Sequence, residues 1–191
     1  MNIVIEGTTD EPVVRRVLSV VGFNAGTVYI QGSKGKLDKK VAAYNNAAKF
    51  AHWLVLRDMD RDADCPSTLV RQLLPTPSQF MCLRIAVRSM EAWLLADREK
   101  ISDYLGVSIA RIPLDPESLL NPKTELVEIA KHARRREIRE DIVPASQSIA
   151  SVGVGYTLRV GEFASKVWRP KVAARQSRSL ARCLVALNGW K

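Results

Sequence analysis

The segment Arg57-Asp58-Met59-Asp60-Arg61-Asp62 sets three carboxylates at every second position, directly after the apolar run Trp53 to Leu56. Alternate residues of an extended segment point the same way, so Asp58, Asp60 and Asp62 can converge on one cation. A loop with that much charge repels itself unless a divalent ion or nearby arginines offset it. Glu6 ends another apolar run, Asn2 to Ile5, and Gly7 after it permits close approach of backbone to a ligand. If the two runs are neighbouring strands, Glu6 and the Asp58–Asp60 segment face one cleft. Carboxylates so placed would hold Mg²⁺ or Mn²⁺, orient a phosphodiester and activate a water or hydroxyl nucleophile. Simpler readings stand beside this one. Asp is common in solvated turns, Arg57 and Arg61 can pair with it locally, and a helix dipole favours an acid such as Glu6 near its start. An EF-hand loop is excluded, because its glycine and late glutamate are absent at the required offsets.

Further charged positions fall near the same edge. In Arg88-Ser89-Met90-Glu91-Ala92-Trp93, Ser89 can cap a helix whose first turn holds Glu91. Glu91 then serves either as a capping acid or as an additional metal ligand. Candidate phosphate contacts are Arg88, Lys123 in Asn121-Pro122-Lys123, and Lys34 and Lys36 in the Gly-flanked basic loop Gly32 to Lys36. That loop lacks the G-x-x-x-x-G-K-[ST] spacing of a P-loop, so no nucleotide cofactor is expected. Arg134 and Arg135, within the basic stretch Lys131 to Arg139, can track a nucleic-acid backbone or pair locally with Glu137, Glu140 and Asp141.

The elements that must position these groups alternate between strand and helix. Asn2 to Ile5, Val28 to Ile30, Trp53 to Leu56 and Phe80 to Val87 read as strands. Thr9 or Asp10 can cap a helix with Pro12 early in it and apolar residues from Val13 to Val21 at helical spacing. Lys39 to Lys49, Ser67 or Thr68 to Leu74, and the stretch after Ser89 read as further helices. Such alternation predicts a mainly parallel sheet of about four strands covered on both faces, an α/β architecture. After about Lys100 the pattern becomes loop-rich around Pro113, Pro116 and Pro122. Thr124 to Arg139 reads as one amphipathic helix and Gly161 to Leu187 as mainly helical, with no Asp or Glu after Glu162. The expected organisation is a core over 1–100 and a helical extension over 101–191 packed on it.

Composition narrows the partners. The chain has 191 residues, 47% hydrophobic and 26% charged, as globular proteins do, and a net charge of +9 that attracts polyanions such as DNA or RNA. Cys65, Cys82 and Cys183 are odd in number and far apart, which fits a reducing compartment and gives no zinc pattern. With only His52 and His132, a histidine-rich metal centre is not expected. No apolar run approaches the roughly 18 to 20 residues that span a bilayer, and the start lacks a signal-peptide pattern. The expected location is therefore the cytoplasm.

Taken together, Glu6-Gly7-Thr8-Thr9-Asp10, Asp58-x-Asp60-x-Asp62 and Glu91-x-Trp93 resemble the Toprim fold. More narrowly, the chain resembles an uncharacterised bacterial Toprim-like family often encoded beside ATPases, through Gly35-Lys36-Leu37-Asp38-Lys39, Asn121-Pro122-Lys123, Gly153-Val154-Gly155-Tyr156 and Ser179 to Cys183 as well. The resemblance implies a Rossmannoid core and Mg²⁺-dependent phosphodiester chemistry, as in the nucleases of the overcoming-lysogenization-defect group. It implies that Glu6 is a general acid/base or metal ligand, that Asp58 and Asp60 hold the ion, and that Lys123 stabilises charge at the scissile phosphate. A nuclease acting with an ATPase partner in defence or repair is the expectation. A non-catalytic subunit that binds nucleic acid or a partner on the same fold is the alternative.

Overall fold

The computed structural model describes residues 1–190. Four strands, β1 (Asn2–Ile5), β2 (Val28–Ile30), β3 (Trp53–Asp58) and β4 (Met81–Ala86), form one all-parallel sheet in the order β2-β1-β3-β4. Helices flank it, so the chain is a Rossmann-like α/β protein, as the strand–helix alternation predicts. The connections are α1 (Asp10–Val20), α2 (Lys34–Ala47) and α3 (Pro66–Leu73).

Period-two alternation divides the apolar side chains between two faces. Ile3, Ile5, Leu54, Leu56 and Cys82 face α1 and the later helices, while Val4, Val55, Leu83 and Ile85 pack with Leu37, Val41 and Leu69 of α2 and α3. Burial on both sides explains why the strands read as continuous apolar runs rather than alternating ones.

Three segments differ from expectation. Lys34 and Lys36 belong to the first turn of α2, not to a loop: Gly32 turns the chain at φ 78°, and extended Ser33 accepts the Lys36 N–H on its Oγ at 3.4 Å. The stretch from Thr124 to Arg139 is two helices, α6 (Pro122–Ala130) and α7 (Arg136–Ile142), preceded by α4 (Met90–Leu95) and the unanticipated α5 (Arg98–Leu105). The break has a tertiary cause, since the Arg134 N–H donates to the Leu105 carbonyl and the Arg139 guanidinium to the Ala133 carbonyl. The C-terminal stretch divides into α8 (Tyr156–Lys166), α9 (Pro170–Ala173) and α10 (Arg178–Asn188), with Pro170 opening α9 and the Ser177 hydroxyl capping α10.

These later helices share the core of the sheet. Trp93, Tyr156, Phe163, Trp168 and Leu180 are fully enclosed in the cluster that contains Ile3 and Ile5. Asp97 anchors the arrangement: buried at 1% exposure, it accepts the Arg169 N–H and Nε–H at 3.0 Å on Oδ2 and Nη2–H at 2.7 Å on Oδ1. No helix among the described residues is long and apolar enough to cross a membrane. Asp97→Ala takes from the partly buried Arg169 guanidinium the carboxylate that accepts two of its N–H groups, leaving it Glu99 alone, and should lower unfolding stability by about 3 kcal/mol. Urea denaturation measures this, and an unchanged midpoint would contradict the anchoring role.

Candidate functional site

The strand order creates a crevice before any functional side chain is considered. β1 lies between β2 and β3, and the chain leaves it towards α1 on one face but reaches β3 from α2 on the other. Ligands of open α/β sheets bind at such a switch point, outside the carboxyl ends of the strands. Glu6 directly follows β1, and Asp58 is the last residue of β3. A cleft of about 610 Å³ opens there, lined by Glu6, Asp10, Asp58, Asp60, Asp62 and Glu91 together with Lys34, Arg61, Arg88 and Lys123.

Backbone amides fix the inner acids. Glu6 Oε1 accepts the Asp58 N–H at 3.1 Å, Asp58 Oδ1 accepts the Met90 N–H at 3.1 Å, and Asp10 Oδ2 accepts the Gly7 N–H at 2.8 Å. These bonds favour the charged forms, but loss of water outweighs them. Burial raises the Glu6 carboxyl above its ordinary value, against the Asp58 amide and the Arg57 charge. Asp10 is pushed up to about 7, by burial first and then by Glu91 and Glu6. Asp58 is raised well above the usual carboxylate range by burial, with Glu91, Asp10, Glu6 and Asp60 adding repulsion.

The outer acids have protein partners. Arg57, 3% exposed, grips Asp38 through Nε at 3.0 Å and Nη2 at 2.9 Å, and its Nη1 lies 2.7 Å from Asp62 Oδ2. Lys34 bridges Asp60 Oδ2 at 2.8 Å and Asp62 Oδ1 at 2.9 Å. The extended alternation expected to align Asp58 with Asp60 stops at the end of β3. Asp60 adopts φ 49° and Arg88 φ 62°, left-handed conformations that strain side-chain-bearing residues. They clasp each other: the Asp60 N–H donates to the Arg88 carbonyl at 2.8 Å, and Arg88 Nη1–H to the Asp60 carbonyl at 2.9 Å. The Arg88 Nε–H is buried without a partner among the described residues.

Glu91 enters from the opposite wall, where both its oxygens accept hydrogen bonds, from Ser89 Oγ at 2.6 Å and from Tyr156 Oη at 2.9 Å. Burial and the adjacent Glu91 hold the Tyr156 phenol far above its usual range, so it stays a donor. Tyr156 reaches this position because a Cβ at Gly153 or Gly155 would overlap Asp141 at the end of α7. Lys123 Nζ lies 5.1 Å from the Tyr156 ring centroid, a cation–π contact that aims the ammonium along the cleft wall.

The oxygens left over sort the candidates. Glu6 Oε2, Asp58 Oδ2, Asp10 Oδ1 and Asp60 Oδ1 have no hydrogen-bond partner among the described residues, whereas both oxygens of Asp62 and of Glu91 are engaged. Among the described residues no three acids, histidines or cysteines already converge into a metal cage. The donor set is nonetheless the hard-oxygen type that suits Mg²⁺, which commonly takes one or two carboxylates and completes its shell with water and phosphate. Asp10, which the sequence offers only as a helix cap beside Glu6-Gly7, joins the acids of the cleft; its signal was an acid in the first turn of the helix that follows Glu6-Gly7. Lys36, Arg134 and Arg135 do not line the cleft: Lys36 is exposed on α2, and Arg134 packs beside Gly106 at the end of α5. Comparison with protein-family models, curated proteins and solved structures found no match.

The Asp10 shift has a definite sign for stability. An acid whose pKa is raised in the folded state costs nothing below its unfolded value, and the cost grows with pH until both states are ionised. In the presence of EDTA, the melting temperature should therefore fall between about pH 4 and pH 7, and Asp10→Asn should flatten that fall. Thermal melts across pH measure it, and a slope equal to that of the unmutated protein would refute it.

Proposed function

We propose that the protein is a Mg²⁺- or Mn²⁺-dependent nuclease whose cleft takes a nucleic-acid phosphodiester. The observation that carries this reading is the crowding of Glu6, Asp10 and Asp58, each tied to a backbone amide through one oxygen and free at the other. Burial and mutual repulsion disfavour the ionised forms of these acids, and a cation among them offsets that. The reading also agrees with the Toprim resemblance carried by Glu6, Asp58 and Asp60.

Glu6, Asp58 and Asp10 are the residues suited to hold the ion, with Asp60 at the rim. When bound, the ion would polarise a phosphate oxygen and lower the pKa of a coordinated water. Lys123 and Arg88 present cationic groups to a phosphate in the cleft, offsetting charge that builds on its oxygens. Where Asp58 and Asp10 hold the ion, the free Glu6 Oε2 is available instead to take the proton from water as the water oxygen attacks phosphorus, and burial, which raises the Glu6 carboxyl, favours its accepting that proton. The P–O bond to the leaving strand breaks, and that oxygen takes a proton from solvent water, to which Glu6 then releases the one it accepted. Asp62 and Glu91 act as supports in this scheme: Asp62 holds Lys34 and Arg57, and Glu91 holds Tyr156 beneath Lys123.

The test is cleavage of supercoiled plasmid, single-stranded DNA and RNA with Mg²⁺, Mn²⁺ or EDTA. Cleavage is expected with metal only, reduced on the order of 100-fold or more by Asp58→Asn or Glu6→Gln and on the order of 10-fold by Lys123→Ala. Full activity in both acid variants would sink the site. No cleavage of any substrate by the unmutated protein would instead favour a non-catalytic nucleic-acid-binding subunit. Soaking crystals in Mn²⁺ gives a second readout, with anomalous density expected between Glu6 and Asp58.

A further inference from the structure

A second cavity, of about 530 Å³, lies on the other side of the β4 terminus and carries the opposite charge. Four arginines line it: Arg71 from α3, Arg84 from β4, and Arg178 and Arg182 one turn apart on α10. None of the four makes an ion pair among the described residues, and their one side-chain hydrogen bond is from Arg71 to the Thr68 hydroxyl at 3.4 Å. Elsewhere the arginines facing carboxylates are paired with them, as Arg57 is with Asp38 and Asp62 and Arg169 with Asp97 and Glu99.

The cavity wall has one acid, Glu117, and it is already committed. Its Oε1 accepts the Ser179 N–H at 3.0 Å and the Ser177 and Ser179 hydroxyls, and its Oε2 accepts the Arg178 N–H at 3.2 Å. Glu117 thus neutralises the amino end of α10 and touches no guanidinium. Four like charges on one concavity repel one another and call for a polyanion. The floor is apolar, formed by Val70, Ile85 and Val87. Val87 is followed in the chain by Arg88, which lines the acidic cleft, so consecutive residues serve the two cavities.

We propose that the arginine-lined cavity seats consecutive phosphodiester groups of a single nucleic-acid strand. Four guanidinium charges on one wall exceed the single charge of one phosphodiester, whereas consecutive phosphates of a strand can match them. Guanidinium forks suit phosphate oxygens, and a concave wall with an apolar floor accommodates the sugars and bases of an unpaired strand without reading sequence. That the bound strand continues into the acidic cleft rests on the nuclease reading; backbone binding in the arginine cavity does not.

The experiment is fluorescence anisotropy of a labelled single-stranded DNA titrated with the full chain in EDTA, so that metal chemistry plays no part. Arg178→Ala with Arg182→Ala, both at exposed positions, should weaken binding about 10-fold and flatten the plot of log affinity against log salt by about 1.4. Lys49→Ala with Lys171→Ala removes the same charge at exposed positions outside the cavity and should have a small effect. Equal losses in the two double variants, or none in the first, would overturn the proposal. Millimolar AMP should displace the strand poorly; displacement by AMP at strand-like concentrations would overturn it in favour of a mononucleotide site. Circular dichroism melts check folding, and Arg71→Glu on α3 supplies an independent variant expected to weaken binding in the same way. Failure of the unmutated protein to cleave any substrate would defeat the nuclease reading and leave this binding result standing.

Discussion

Repulsion among carboxylates at the ends of two adjacent parallel strands is the constraint on which the rest of this structure turns. Glu6, Asp10 and Asp58 are confined where water is scarce, and desolvation is the largest cause of the raised pKa of each. The amide bonds they accept position the groups without restoring their ordinary acidity. A protein gains nothing in stability from such a cluster. Its place in a cleft is the ground on which a cation-dependent site is proposed.

Much of the remaining chain bears on that edge from a distance in sequence. The Ser179 hydroxyl accepts the Trp93 indole N–H at 2.6 Å and the Val87 N–H at 3.2 Å, tying α10 to α4 and to the end of β4. The glycines at 153 and 155 let α8 approach α7, which delivers Tyr156 under Glu91 and Lys123. Asp97 clamps Arg169 and holds α9 against α4 and α5. The C-terminal helices therefore brace the residues of the cleft wall from behind, through Tyr156 and Ser179, without lining the cleft themselves.

The charge arrangement has a polarity along this edge. Acids gather where β1 and β3 end, and arginines without ion pairs gather around β4, on α3, on β4 itself and on α10. A net charge of +9 says only that polyanions are attracted. The separation into an acidic cleft and a cationic cavity is the ground for proposing cation-assisted chemistry in the one and backbone binding in the other. The left-handed clasp between Asp60 and Arg88 lies at their boundary, and strain at such a place is typical of sites kept for function rather than stability.

The sequence by itself determined the α/β layering, the strands that carry Glu6 and Asp58 at their ends, and the acid-rich edge. These follow from local pattern, since apolar runs of strand length and helical spacing report burial directly. Helix boundaries in the second half were less legible: contacts such as Arg134 to Leu105 break what reads as one helix over 124–139, and no local signal carries a long-range hydrogen bond. Only the tertiary structure decided which oxygens remain free. Asp62 and Asp58 look alike in the run Asp58-Met59-Asp60-Arg61-Asp62, yet Arg57 and Lys34 consume both oxygens of Asp62, and Asp58 keeps one. Asp10 joined the acids because α1 starts beside Gly7, and the arginines at 71, 84, 178 and 182 met because α3, β4 and α10 pack together. Residue type and spacing announce what chemistry is possible, but whether a charged group is spent on a neighbour or left for a ligand is a fact of three-dimensional pairing.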